Sequence, residues 1–344
     1  MAEAEHGRIQ PHAPRDVRGV PANVSDGVRQ NTGVAYLLPA IGRPNLTAVG
    51  GATATHLLFA GARVTGVEYL RDGRLDRAYA DHVVLCAGAF TSAHLLMLSG
   101  IGPARELRRA GIPVVAHSPA VGTRFSDHPQ LVIEWTPRHQ RPAAPGEWMG
   151  GALHTDDLEL LGTVKPMTAL LEPAHGGDLA PLALMASVQA PRNTGRLRLT
   201  SADPLDPPLI DYGYLRDGDD RRRMREAARL CLDLLSTPDW QSAHDGLVGI
   251  TPEDAADDRS LDSWIAAHLG TALHTCGTVP FGGTGAAADG EGRVRGVEGL
   301  TVADTSILPT APRRGPALAA VLVGEVIAAH LCASDTVPPR AVVR

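Results

Sequence analysis

The sequence lacks an excess of basic residues. Its 32 Lys and Arg are outnumbered by 38 Asp and Glu, for a net charge of -6. No cluster of Lys and Arg large enough to cover a face occurs outside one helix, which argues against nucleic acid as the partner and leaves a small molecule as the expected one. Aromatic residues are also scarce, at 4%. The four cysteines, Cys86, Cys231, Cys276 and Cys332, form no CxxC pair. That spacing signals neither a zinc site nor a disulfide framework. All four read as buried thiols, and only Cys276 lies near candidate chemistry. Missing too is any stretch of the ~18 apolar residues that a membrane helix needs. The opening MAEAEHGRIQPHAPRD carries no apolar run of the kind a signal peptide requires, so a cytoplasmic location is expected.

What is present is ordinary globular material, with 44% hydrophobic and 20% charged residues. At ~100 to 200 residues per domain, 344 residues suggest two domains. Residues 1 to 30 have no periodicity. From Val34, short apolar runs broken by turn signals such as Arg71-Asp72-Gly73 predict two or three antiparallel strands and then a buried strand over His82 to Ala87. A helix should follow, capped by Ser92, with Leu95, Leu96 and Leu98 as its apolar face and Gly100 as its stop. Gly102-Pro103 opens a second short helix, ARELRRA, closed by Gly111 and Pro113.

Residues 131 to 265 have a different texture. Strand-like runs (Gln130 to Trp135, Leu182 to Gln189, Gly195 to Thr200) alternate with Pro-rich loops at 137 to 146 and 203 to 208. One amphipathic helix begins after Asp219-Asp220 and runs to about Leu235. Met224, Ala227, Ala228, Cys231, Leu234 and Leu235 form its apolar face. The arginines at 221, 222, 223, 225 and 229 read as a solvated face balanced by the acidic first turn. A final helix is expected from Pro316 to about Leu331, followed by a loose Pro-rich tail.

His274 precedes Thr275-Cys276-Gly277-Thr278, where an element must end. A histidine there serves either as structure or as an acid or base. Downstream, Gly315-Pro316 suits a helix start, because proline at the first helical position has no N–H to leave unpaired. The N–H groups of such an end favour negative charge, and Arg313 and Arg314 stand just before it. A proton-accepting histidine beside a terminus that stabilises developing negative charge fits hydride or proton removal from an alcohol.

The run AGAFTSAHLLMLSGIGPARELRRAGIPVVAHSPAVGTRFSDHP resembles the second signature region of the glucose-methanol-choline (GMC) family of flavin oxidoreductases. HTCGTVPFGG through GRVRGVEGLTVADTSILPTAPRRGPALAAVLVGE resembles that family's catalytic and flavin-contacting end, and GVAYLLPAIGRPNLTAVGGATATHLLF matches as well. The Arg-Gly-Pro wording looks most like the branch associated with mycofactocin. The resemblance implies an α/β (mixed α+β) fold. Residues 1–129 and 269–334 would make an incomplete, Rossmann-like FAD-binding domain, and 130–268 a substrate domain with a mixed or antiparallel sheet and helices. It also implies that His274 is the base that takes the alcohol proton. Asp304 and the Gly315, Pro316 and Ala317 backbone would lie along the flavin. Ala54 would meet the adenine through its main chain, and Gly88 and Ala89 would line the dinucleotide. Val121, Gly122, Asp127 and His128 would belong to the loop bordering the cofactor. No metal ligand is implied.

Five departures from the family pattern stand out. Gly315 replaces the usual second His or Asn, so His274 would act alone. Arg124, Ala93 and Phe281 replace an Asn, a Pro and a Met. The fifth departure is the largest: no strand, G-x-G-x-x-G turn and helix is found, and Gly283 to Ala288, the one near match, reads as a surface loop. The leading expectation is therefore an FAD-dependent alcohol oxidoreductase, choline dehydrogenase-like, whose dinucleotide unit lies on a partner polypeptide or outside this reading frame. A flavin-free isomerase or lyase using His274, and a non-catalytic binding protein, are the alternatives. With no Gly-rich turn to hold the FAD pyrophosphate, the chain alone is expected to retain little flavin. The check is a visible spectrum over about 350 to 500 nm, where the cofactor itself absorbs, after incubation with FAD and desalting. Stoichiometric flavin would overturn that expectation.

Overall fold

A computed structural model of the chain describes residues 16–139, 148–155, 157–167 and 180–333. The expected Pro-rich tail and part of the 137 to 146 loop lie outside these. The described residues pack as two compact units, one of 16–29, 129–190 and 218–271, the other of 30–128, 191–217 and 272–333.

The first unit is built on a seven-stranded antiparallel sheet. Its order is Asp16–Arg18, Met149–His154, Leu158–Thr163, Leu182–Val188, Pro129–Pro137 and His244–Val248, with Gly270–Thr271 also beside Pro129–Pro137. Alternation sets the burial: Leu131, Ile133 and Trp135 point inward from one strand. The helix Gly218–Leu235 lays Met224, Ala227, Ala228, Cys231 and Leu235 inward, and a second helix, Asp258–His268, capped by Asp257, adds Leu261, Trp264 and Ile265.

The arginine face of the first helix departs from expectation at one place. Arg222 pairs with Asp219 and Glu226, and Arg229 with Asp258, all at the surface. Arg223, by contrast, is buried against the fully buried Asp220 at 2.5 Å and donates to the Ala190 carbonyl. A buried guanidinium is tolerated because Nη2 donates to a carboxylate and Nη1 to a carbonyl, with the Asp219 and Asp157 carboxylates 3.3 and 3.4 Å away as further counter-charges.

The second unit contains a three-stranded antiparallel sheet, Ala52–Ala60, Arg63–Arg71 and Arg74–Tyr79. Asp72 and Gly73, both at positive φ, make the expected turn between its last two strands. Residues 33–40 are helical turns rather than strand. The strand Val83–Leu85 pairs in parallel with Leu300–Val302, and Val84 on it is 39% exposed. The helix Thr91–Leu98 follows, with Phe90 and not Ser92 at its cap position. Ser92 lies inside the helix because its hydroxyl is committed to Asp304. The core gathers Leu95, Leu96, Met97, Ile101, Leu107, Val121, Leu197, Val279, Leu300 and Val302.

Two boundaries differ from those expected of the sequence. Asp16–Arg18 joins the seven-stranded sheet because its backbone pairs with Ala152 to His154. Residues 191–217 join the second unit because Phe125 and Gly195 exchange both backbone hydrogen bonds and the Leu197 N–H donates to the Gly122 carbonyl. The final helix spans Ala317–Ala333. Among the described residues no helix is long and apolar enough to cross a membrane.

Leu96 is fully buried and Leu75 is 63% exposed. Leu96→Ala should cost about 2–5 kcal/mol and Leu75→Ala within about 0.5 kcal/mol, compared through urea unfolding midpoints at unchanged slope.

Candidate active site

The second unit brings His274 to a cavity of about 530 Å³. Ala87, Gly88, Ala89 and Phe90 line one side and Gly315, Pro316, Ala317 and Ala320 another, with Leu273 and His274 between them. The first group is the turn between Val83–Leu85 and the following helix, and the second is the amino end of the last helix.

Backbone pairing fixes where His274 stands. Ser126 and Cys276 exchange two backbone hydrogen bonds of 2.9 Å, which brings Asp127 and His128 alongside His274. Asp127, buried, accepts the His274 backbone N–H at 2.7 Å through Oδ1 and the Tyr214 hydroxyl at 2.6 Å through Oδ2. Its neighbour His128 is fully buried, with Nδ1 3.0 Å from Nδ1 of His274 and the two rings nearly perpendicular. Leu273, just before His274, has φ of 60° and is 79% exposed, an uncommon backbone for a residue with a Cβ.

The other imidazole nitrogen of His274 faces position 315. A Cβ there would lie 3.1 Å from Nε2 and 3.5 Å from Cε1, so any side chain at 315 would crowd the ring. Glycine leaves that nitrogen facing the cavity.

Asp304 has a different setting. It caps the turn Thr305–Ile307 through the Ser306 N–H at 2.8 Å, and its other oxygen accepts from the Gly88 N–H at 2.9 Å and the Ser92 hydroxyl at 2.5 Å. This carboxylate ties the turn at Gly88 to the strand Leu300–Val302. Thr278 adds a second tie by donating to the Ala89 carbonyl. Val121 is fully buried in the core, and Gly122 donates its N–H to the Thr278 carbonyl. Both support the Asp127 loop from behind. Ala54 is exposed opposite Tyr69 on its strand and does not line the cavity. Gly283 to Ala288 forms a loop with no helix after it.

Of the residues singled out in the sequence, the cavity thus unites His274, Gly88, Ala89, Gly315, Pro316 and Ala317. Asp127, His128 and Asp304 stand one layer behind it. Tyr214 was not among them, and a lone tyrosine in a loop offers no pattern to reveal it.

Two family models, both described as GMC oxidoreductase, match residues 16–130 and 191–324. The chain belongs to the GMC oxidoreductase family. An uncharacterised GMC-type oxidoreductase of Rhodococcus erythropolis is 36% identical over 92% of this chain and 62% of its own length. An oxygen-dependent choline dehydrogenase of Citrobacter koseri is 31% identical over 88% of this chain and 60% of its own. The chain therefore spans about 60% of these curated relatives. Among solved structures, a pyridoxine 4-oxidase from Mesorbium loti superposes with a TM-score of 0.81 at 26% identity, covering 92% of this chain and 64% of that one. A formate oxidase of Aspergillus oryzae shares the fold, with a TM-score of 0.77 over 86% of this chain and 63% of that one, at 22% identity. The mixed α/β fold read from the sequence is that of these GMC flavoenzymes.

The cysteines divide in two, against the expectation that all are buried. Cys86 and Cys332 are exposed, while Cys231 and Cys276 are buried. Burial pushes the thiols of Cys231 and Cys276 up to about 12, helped at Cys276 by the negative charges of Asp127 and Asp304. The thiolate is the reactive form. Burial and the Asp304 charge also raise the exposed Cys86 thiol, so a thiol reagent should modify Cys332 fastest in the native protein, Cys86 more slowly, and Cys231 and Cys276 only after denaturation. Peptide mapping by mass spectrometry checks this.

Proposed function

We propose that this chain forms the larger part of an FAD-dependent oxidoreductase acting on the CH–OH group of a small-molecule alcohol. The observation that carries the reading is the placement of His274 Nε2 on a cavity bounded by the Gly88 turn and the Gly315 helix end. The family relatives lend support. Their names include a choline dehydrogenase and a pyridoxine oxidase, and choline and pyridoxine share that functional group. Another structure of the same fold is a formate oxidase studied for modification of its FAD.

The residues present suit the ring end of a flavin. Small side chains at Ala87, Gly88, Ala89, Gly315 and Ala317 leave room for a flat ring system, and the amino end of Ala317–Ala333 offers backbone N–H groups to an electron-rich edge. When bound, FAD supplies a two-electron acceptor for the hydrogen on the alcohol carbon. His274 Nε2 takes the hydroxyl proton. Asp127 keeps the His274 main chain in place, so the imidazole does not need to be reoriented during the proton transfer. Arg313 and Arg314 add positive charge beside the helix end.

A strand, Gly-rich turn and helix to hold the pyrophosphate belongs to the proposal as well, on this or a partner polypeptide, since the described residues supply none. A flavin-free reaction at His274 gains no separate support from the site.

In the FAD-loaded enzyme, His274→Ala should slow flavin reduction by alcohol about 100-fold or more, the usual worth of a positioned base. Cys276→Ser should leave it nearly unchanged, in keeping with a thiol held protonated. Stopped-flow absorbance reads both, and the opposite ranking would transfer the role to the thiol.

A further inference from the structure

His128 offers more than a wall behind the base. Its Nδ1 lies 3.0 Å from His274 Nδ1. At that distance one nitrogen donates and the other accepts, because two lone pairs or two N–H groups would repel. If His128 donated, the proton of neutral His274 would reside on Nε2, leaving no acceptor on the nitrogen that faces Gly315 and the cavity. If His274 donates, its Nε2 carries a lone pair toward the cavity and His128 holds its own proton on Nε2.

We propose that His128 is a positioning residue that accepts the His274 Nδ1–H and so fixes the tautomer in which His274 can act as a base. The proposal rests on the reading of His274 as the base. Three features of the structure support it. His128 is fully buried, so its ring is held in the place where it meets His274. Its backbone is held, since its carbonyl accepts from the Ala272 N–H at 3.0 Å. The backbone of His274 is held separately by Asp127, so both rings project from fixed main-chain positions. When Nε2 takes up a proton, the Nδ1–H bond to neutral His128 becomes charge-assisted and strengthens, favouring the state the reaction needs. The pairing matters more here because Gly315 provides no side chain to hydrogen-bond the ring from the other side.

The test is a long-range proton–nitrogen correlation spectrum of the full chain labelled with nitrogen-15 in histidine, at neutral pH. The His274 pattern is assigned as the one lost in His274→Gln. The expected result is a pyrrole-type Nδ1 and a pyridine-type Nε2 for His274. In His128→Phe this preference should be lost, with the proton shifting to Nε2. His128→Asn, whose amide oxygen can accept an N–H, should restore it. A pyridine-type Nδ1 in the unsubstituted protein would overturn the proposal, as would a tautomer unchanged in His128→Phe. Should His128→Phe not fold, the unsubstituted spectrum and the Asn variant still decide. The spectrum needs no turnover. A correct tautomer with undiminished flavin reduction in His274→Ala would leave the His128 pairing standing and remove the base assignment alone.

Discussion

The site depends on a pair of backbone hydrogen bonds between Ser126 and Cys276. They join two segments about 150 residues apart in sequence (126 and 276) and set the register in which Asp127 and His128 meet His274. A slip of one residue would turn each side chain to the opposite side, and both the carboxylate holding the His274 main chain and the ring meeting its Nδ1 would be lost. The Ser126 hydroxyl also accepts from the Ala311 N–H at 2.9 Å, bringing the approach to Gly315 under the same control. One short bridge therefore governs the histidine and both of its neighbours.

Much of this could be read in the sequence because the relevant signals are local. The Gly-Pro start of the last helix, the glycine that stops Thr91–Leu98 and the Asp-Gly turn at 72–73 each require a backbone conformation that few residue types supply. Helical periodicity placed Met224, Ala227, Ala228 and Cys231 on the buried face, as found. The family resemblance pointed to the residues now seen around the cavity.

What was not legible depends on contacts distant in sequence. Met149–His154 and Leu158–Thr163, central to the seven-stranded sheet, have no strong alternation of their own and are strands because of their neighbours. Ser92 has the chemistry of a helix cap, but the Asp304 carboxylate, 212 residues away, claims its hydroxyl. Arg223 looks like any other arginine on a charged helix until Asp220 and the Ala190 carbonyl are found beside it. The facing of His128 and His274 follows from the bridge at Ser126, which nothing in either segment announces.

Leu273 carries a cost that the fold has retained. A side chain in the left-handed region is disfavoured by roughly 1–2 kcal/mol, and glycine would adopt that backbone without strain. The leucine does not compensate by filling a core, since 79% of it faces outward. The left-handed turn nonetheless aims the next N–H at Asp127, and a leucine there removes the freedom that a glycine would give the peptide in other states. The strain at Leu273 therefore sits directly beside the hydrogen bond that holds the His274 main chain. Position 273 is one at which glycine would relieve backbone strain and at the same time loosen the peptide that carries His274.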